Sequence, residues 1–174
     1  MSLQAAPARP PESTSTTRQP CLRSVTKKVI ICDVNVLIAA YRRDALTHAV
    51  GFAMLARLIG GSEPYGWTTQ TLSAVVRITV NPRIWPVAST GDDVLLFCAD
   101  VMSPANARQV EPGARHWPLF EQCLRSTNLH PDDVGDAVLA ALCIEHGCEL
   151  VTWDKGFSRF KGLRVLTPEQ ALAR

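Results

Sequence analysis

The sequence lacks the features of several common protein classes. No apolar run approaches the roughly 20 residues of a membrane-spanning helix, and residues 1–24, rich in Pro, Ser, Thr and Gln, lack the apolar segment of a secretory signal. The chain has no glycine-rich phosphate loop and no Ser-His-Asp or Cys-His arrangement. We therefore expect a cytoplasmic protein that does not bind membranes. We expect neither a P-loop enzyme nor a hydrolase with a serine or cysteine nucleophile.

Paired cysteine motifs are also missing. The six cysteines form no C-x-x-C pair, and no histidine lies at zinc-finger spacing. Three of the cysteines fall inside apolar helix or strand patterns. This arrangement predicts free thiols in the core rather than disulfides or a zinc site.

A strong positive charge is absent from the body of the chain. Residues 29–174 hold 13 Lys or Arg and 15 Asp or Glu, whereas residues 1–28 hold five bases and one acid. A domain that coats polyanions is usually strongly basic. Contact with nucleic acid would therefore have to depend on local patches or on bound cations.

The composition divides the chain into a tail and one domain. Residues 1–26 cannot bury enough apolar surface to offset the entropy of ordering, so we predict either a disordered tail or a segment upstream of the true translation start. A basic arm on nucleic acid is the functional alternative. The whole chain is 47% hydrophobic and 20% charged, as in globular proteins, so residues 27–174 are predicted to form one domain.

Short apolar strands alternate with helices from Val29 onward. Strand patterns cover residues 29–33, 65–68, 107–112, 148–154 and 163–168, and helix patterns cover residues 34–41, 47–60, 70–80, 90–102, 115–126 and 132–147. This alternation predicts an α/β fold with a parallel sheet and helices on both faces. Ligands of such sheets bind at the carboxyl ends of the strands.

Four aspartates are expected at that edge. Asp33 and Asp154 each follow an apolar strand, while Asp133 and Asp136 open the best helix, three residues apart on one face. Singly, each has an ordinary alternative: an Asx turn, a helix-end charge or a "WDKG" turn. Together, such carboxylates repel and require a cation, and their hard oxygens suit Mg²⁺ or Mn²⁺ rather than zinc. We therefore predict a metal site that could activate water on a phosphodiester.

These residues also carry a family resemblance. "VIICDVNVLIAAY", followed by "DAVLAALCIEHGCELVTWDKGFSRFKGLRVLTP", resembles the PIN domain of VapC-type toxins, and "VVRITVNPRIWP" between them is similar to that group. The resemblance implies a Mg²⁺-dependent endoribonuclease, with Mn²⁺ as a second candidate, that is neutralised by a cognate VapB-like antitoxin. It assigns metal ligation to Asp33, Asp136 and Asp154, and supporting hydrogen bonds to Asn35 and Thr152.

One acid of the family pattern is missing. Many PIN nucleases have a glutamate in the helix that here reads "QTLSAVVRITV", but residues 64–91 contain no acid. Asp133 is the candidate substitute, with a simple helix-end charge as its alternative. Arg77 and Arg83, near the end of this helix, are candidate contacts to RNA phosphate, although both could merely be solvated.

Three questions of function stay open at this level. The missing glutamate leaves room for a PIN-fold module that binds RNA or protein without cutting. A receiver or haloacid-dehalogenase-like domain also has an acid after its first strand, but the dehalogenase pattern needs a second Asp where this chain has Asn35. Finally, Trp67, Trp85 and Trp117 lie outside the best strands, and aromatic residues favour interfaces, so we expect a homodimer.

Overall fold

The computed structural model describes residues 28–174, so the prediction for residues 1–26 lies outside the described residues. Five parallel strands form one sheet in the order β3-β2-β1-β4-β5. The strands are β1 (Ile30–Cys32), β2 (Tyr65–Trp67), β3 (Ala107–Gln109), β4 (Glu149–Val151) and β5 (Arg164–Leu166). The predicted parallel α/β sheet is confirmed.

Seven α-helices connect and flank these strands within residues 28–174. They are α1 (Val34–Tyr41), α2 (His48–Gly60), α3 (Thr69–Thr79), α4 (Gly91–Met102), α5 (His116–Arg125), α6 (Val134–His146) and α7 (Pro168–Leu172). The first six begin and end within two residues of their predicted bounds. Helix α7 was not predicted, and neither were two short 3₁₀ helices, Pro131–Asp133 and Lys155–Arg159.

Alternate residues of the central strands β1 and β4 pack into two separate hydrophobic cores, one on each face of the sheet. Ile31 of β1 and Leu150 of β4 pack with residues of α5 and α6 on one face of the sheet. Cys32 and Val151, one position later, pack on the other face with residues of α1, α2, α3, α4 and α7. Strands covered on both faces need apolar side chains at every position. This explains the continuous apolar runs and confirms helices on both faces.

The cysteines behave as predicted where the structure describes them. Cys32, Cys98, Cys123, Cys143 and Cys148 are free and buried. Burial raises the pKa of the Cys32 thiol to about 12, which keeps it protonated and unreactive. Within residues 28–174, none of the helices has the length and apolar composition that crossing a bilayer requires.

The link between α6 and β4 sets the position of the site. Gly147 ends α6 with a φ of 66°, a left-handed conformation that glycine adopts without steric strain. The chain then enters β4, which pairs in parallel with β1. The backbone N–H of Asp33 donates to the carbonyl of Val151 at 2.9 Å. The carboxyl ends of β1 and β4 are therefore adjacent, as the clustering of aspartates required.

Candidate active site

Asp33 is a buried carboxylate held by three hydrogen-bond donors. It is 8% exposed. Its Oδ1 accepts from the backbone N–H of Val34 at 2.7 Å, and its Oδ2 accepts from Thr152 Oγ1 at 2.6 Å and from Asn35 Nδ2 at 2.9 Å. Burial raises the pKa of Asp33, while the bonds from Thr152 and Val34 lower it. These donors fix the orientation of the acid that ends β1.

Thr152 and Asn35 connect the two strand ends. Thr152 Oγ1 donates to Asp33, and it accepts from Asn35 Nδ2 at 2.8 Å and from the backbone N–H of Asp154 at 3.0 Å. Asn35 Oδ1 is buried and has no hydrogen-bond partner among the described residues. Both side chains therefore stand where the resemblance implied, in contact with Asp33. Their effect on activity stays a prediction.

Asp136 shares its electrostatic environment with the two strand-ending acids. It lies in the first turn of α6. Partial burial, together with the negative charges of Asp154 and Asp33, raises its pKa to about 6 despite the opposing effect of Arg159. Asp154 Oδ1 accepts from the backbone N–H of Gly156 at 2.7 Å, so Asp154 also caps the 3₁₀ helix that follows. Asp154 therefore forms the ordinary turn that was its alternative interpretation. It also lies close enough to Asp136 for its charge to affect the pKa of that residue.

Asp133 lies at the N-terminus of α6, as predicted, but its carboxylate is paired with an arginine. It ends the 3₁₀ helix Pro131–Asp133, because α6 begins only at Val134, and its side chain makes no capping hydrogen bond. Asp133 Oδ1 instead lies 2.8 Å from Arg159 Nη2, and the same nitrogen lies 2.9 Å from Asp136 Oδ2. The two acids therefore converge, as their spacing predicted, but on an arginine of the chain.

Sequence reasoning missed Arg159. The residue lies within a stretch that carries the family resemblance, but its type and position gave no reason to single it out. The available signal was the pattern F-S-R-F, in which Phe157 and Phe160 are both buried. Two anchored aromatic residues around a basic one, shortly after a strand-ending acid, restrict where the guanidinium can lie.

A cavity of about 480 Å³ opens beside these acids, between α3 and α6. Asp33 and Asp136 line one side of it, and α3 contributes Gln70, Ser73, Ala74 and Arg77. The α3 residues that line the cavity thus present an arginine and no acid. Arg83 is not among the lining residues. A larger cavity of about 650 Å³, lined largely by apolar side chains of α1, α2 and α4, shares no residue with this one.

The donor set suits a hard divalent cation. The carboxylates of Asp33, Asp136 and Asp154 offer oxygen donors, the type that Mg²⁺ and Mn²⁺ prefer, and the unpartnered Oδ1 of Asn35 lies in a side chain that contacts Asp33. Among residues 28–174, no three His, Cys, Asp or Glu side chains already stand close enough to hold an ion. A cation would therefore have to draw the carboxylates of Asp33, Asp136 and Asp154 together.

Comparison with known proteins decides the family. The PIN domain model matches residues 94–163. Ribonuclease VapC43 of Mycobacterium tuberculosis is 32% identical over 140 residues, which cover 80% of this chain and 95% of that protein. Ribonuclease VapC25 of the same species is 31% identical over 140 residues, covering 80% and 99%. This chain belongs to the VapC ribonuclease family. The resemblance drawn from the sequence is confirmed. The alternative interpretation as a receiver or haloacid-dehalogenase-like domain is therefore wrong.

Solved structures show the same fold as this VapC-family chain. VapBC2 from Rickettsia felis, bound to a DNA fragment from their promoter, has a chain that matches with a TM-score of 0.56 and 13% identity, over 80% of this chain and 98% of that one. VapC20 of M. tuberculosis, a sarcin-ricin loop cleaving toxin, matches with a TM-score of 0.52 and 15% identity, over 78% and 98%. Identities this low show the PIN fold alone.

Proposed function

We propose that this VapC-family chain is a Mg²⁺-dependent endoribonuclease toxin, with Mn²⁺ as an alternative cation. The observation that supports this most is the fixed position of Asp33 at the shared edge of β1 and β4, held by three donors. Asp136 and Asp154 lie near enough that the charges of Asp154 and Asp33 raise the pKa of Asp136. The relatives named as ribonucleases support the same reaction class.

Each side chain has a stated role in this proposal. Asp33, Asp136 and Asp154 hold the cation, which when bound polarises the phosphodiester and lowers the pKa of an attacking water. Asn35 and Thr152 orient Asp33, because both donate to its Oδ2, and the bond from Thr152 lowers the pKa of Asp33 against the larger effect of burial. They also restrict the directions from which that carboxylate can meet a cation.

RNA would enter the cavity between α3 and α6. Arg77 lines this cavity together with Asp33 and Asp136, so its guanidinium can bind a substrate phosphate close to the acids. Gln70 Nε2 donates to the carbonyl of Gly135 at 3.0 Å and ties α3 to the start of α6. Arg83 lies beyond α3 and remains a candidate for contacts with more distant phosphates. Asp133, bound to Arg159, remains a candidate ligand only if that ion pair opens.

Metal dependence and the three acids can be tested together. Purified protein should cleave RNA in Mg²⁺, stop in excess chelator and resume when Mg²⁺ is restored. Asp33→Asn, Asp136→Asn and Asp154→Asn should each abolish cleavage while the protein stays folded. Asp92→Asn, at an exposed acid of α4, is the matched control and should cleave like the parent. Cleavage that persists in chelator, or in all three variants, would refute the proposal.

A second part of the proposal concerns partners. We propose a homodimer neutralised by a VapB-like antitoxin; the solved VapBC2 complex of R. felis supports the antitoxin by analogy. Exposed large apolar side chains support a protein partner, and those of the helices include Phe52, Leu95, Leu96 and Trp117. Light scattering at micromolar concentration should give the mass of two chains. A single-chain mass would count against the dimer and leave the catalytic proposal intact.

One observation favours a different function. The α3 residues that line the cavity include no acid. Among residues 28–174, no three acidic side chains stand close enough together to hold a metal ion. A catalytically impaired PIN-fold module would bind RNA or a protein without cutting. Binding of RNA without cleavage in either Mg²⁺ or Mn²⁺ would establish this alternative, whereas metal-dependent cleavage excludes it.

A further inference from the structure

The chain fixes Arg159 beside the acidic site. Arg159 ends the 3₁₀ helix Lys155–Arg159, and its neighbours Phe157 and Phe160 are 1% and 2% exposed. The guanidinium carbon lies 5.0 Å from the ring centroid of Phe160. Packing of these two neighbours therefore places Arg159 beside the start of α6, where its guanidinium contacts both Phe160 and the acids.

A single nitrogen of Arg159 contacts two carboxylates. Nη2 lies 2.8 Å from Asp133 Oδ1 and 2.9 Å from Asp136 Oδ2. The side chains of all three residues are one-third exposed or less, with Asp133 the least exposed at 17%. Partly buried ion pairs are screened less by water and salt than surface pairs. Asp136, a cation ligand in the proposed function, thus already has a positively charged partner.

A divalent cation bound at Asp136 and the Arg159 guanidinium would both contact the same carboxylate, and both are positively charged. Binding of the cation at Asp136 must therefore overcome repulsion from Arg159 or break its ion pair. We propose that Arg159 is a built-in counter-ion that competes with the divalent cation for Asp136 and keeps the affinity of the resting site for that cation low. The inference deepens the proposed function and rests on it.

A purely structural role for Arg159 makes the opposite prediction. If Arg159 only ties the Lys155–Arg159 helix to α6, its removal should loosen Asp136 and weaken cation binding or leave it unchanged. If Arg159 is a competing counter-ion, its removal should tighten binding. The direction of the change in affinity therefore separates the two roles.

The test is a calorimetric titration of the full chain with Mn²⁺ alone at pH 7.5. Arg159→Met keeps an apolar stem over Phe160 and removes the charge, so it should bind Mn²⁺ about tenfold more tightly than the parent, as expected for removal of a nearby like charge. Arg159→Lys keeps the charge and should stay within about threefold of the parent. In addition, Mn²⁺ should raise the melting temperature of Arg159→Met more than that of the parent, because the metal-free variant lacks a counter-ion for its acids.

Lys161→Met is the matched control for loss of one positive charge. Lys161 is exposed and lines a separate groove with Leu119 and Gln122 of α5, so its substitution should change the Mn²⁺ affinity by less than twofold. If Arg159→Met does not fold, Arg159→Gln provides the same comparison with a polar side chain that can still donate to Asp133.

The outcomes separate the inference from the proposed function. A parent that binds Mn²⁺ while the neutral Arg159 variant binds no more tightly would overturn the counter-ion role alone. An equal gain of affinity in Lys161→Met would also overturn it, since any lost charge would then suffice. Absence of Mn²⁺ and Mg²⁺ binding in both the parent and Arg159→Met would overturn the proposed metal-dependent function, and the counter-ion role with it, whereas binding by Arg159→Met alone would support the counter-ion role.

Discussion

Replacing Asp136 with Asn should stabilise the metal-free protein at neutral pH. The pKa of Asp136 is raised from 3.8 to about 6 in the folded protein, and this value includes the attraction of Arg159. A difference of this size between the folded and unfolded pKa corresponds to about 3 kcal/mol against the ionised form. Because the side chain is 31% exposed, screening by solvent reduces this, and we expect a gain of about 1 kcal/mol.

The pH dependence follows from the direction of the shift. Below pH 3.8, Asp136 is protonated in both the folded and the unfolded state, so its ionisation does not affect stability. Between pH 3.8 and about 6 the unfolded chain releases its proton first, and the parent loses stability as the pH rises. Above that range the loss is complete. Asp136→Asn mimics the protonated form and should escape this loss.

The assay is urea unfolding in chelator at pH 3.5 and pH 7.5. The variant should match the parent at pH 3.5 and exceed it by about 1 kcal/mol at pH 7.5, equivalent to a rise of about 3 °C in melting temperature. Asp92→Asn is the control. Asp92 lies in the first turn of α4, where a negative charge favours the helix, so this substitution should not stabilise the protein at pH 7.5. A parent more stable than Asp136→Asn at pH 7.5 would refute the idea that burial and the neighbouring acids destabilise the ionised form of Asp136.

Three further substitutions test separate parts of the site. Thr152→Val removes a buried hydroxyl that makes three hydrogen bonds. The free energy of unfolding in urea should fall by about 1–3 kcal/mol, and RNA cleavage should slow. If neither the stability nor the cleavage rate changes, the supporting role is excluded. Arg77→Met should weaken RNA binding in filter assays about tenfold and reduce its salt dependence, and Arg83→Met should have the smaller effect; equal effects would contradict the location of Arg77 in the cavity. Asp133→Asn should raise the Mg²⁺ concentration for half-maximal cleavage and leave the maximal rate near that of the parent; a maximal rate as low as that of Asp136→Asn would show that Asp133 is itself a ligand.

The sequence predicts the strand-ending part of the site because that part depends on local pattern. Asp33 directly follows β1 and Asp154 lies three residues after β4, and parallel strands bring their carboxyl ends to one edge. Asn35 follows Asp33 by two residues and Thr152 precedes Asp154 by two, so both stay close to the acids. Short-range spacing and the direction of the strands were sufficient here.

The surroundings of Asp133 and Asp136 could not be predicted in the same way. Their partner, Arg159, is 23 residues or more along the chain from them. It reaches them because two buried phenylalanines set the course of a 3₁₀ helix against α6. The F-S-R-F pattern indicates that Arg159 is anchored, but which acids it contacts depends on tertiary packing and not on local spacing.

Arg77, in the last turn of α3, and Arg83, in the loop that follows, show a similar limit. From the sequence, Arg77 and Arg83 were equivalent candidates, but only Arg77 lines the cavity. Arg42 is buried, contacts the carbonyl of Val87 and lies 4.2 Å over the ring of Trp85, so it fixes the loop that carries Arg83. The course of that loop follows from long-range contacts of Arg42 and not from the local pattern around Arg83.

The most direct test of the proposed function is the RNA cleavage rate of Asp33→Asn beside the parent, in saturating Mg²⁺. Asp33 is the acid that the structure holds most firmly, and Asn keeps its shape while removing the charge that a cation needs. We predict a loss of about 1,000-fold or more, since metal activation supplies several kcal/mol. Circular dichroism should show that the variant is folded. A folded Asp33→Asn that cleaves within tenfold of the parent rate would contradict the proposed site.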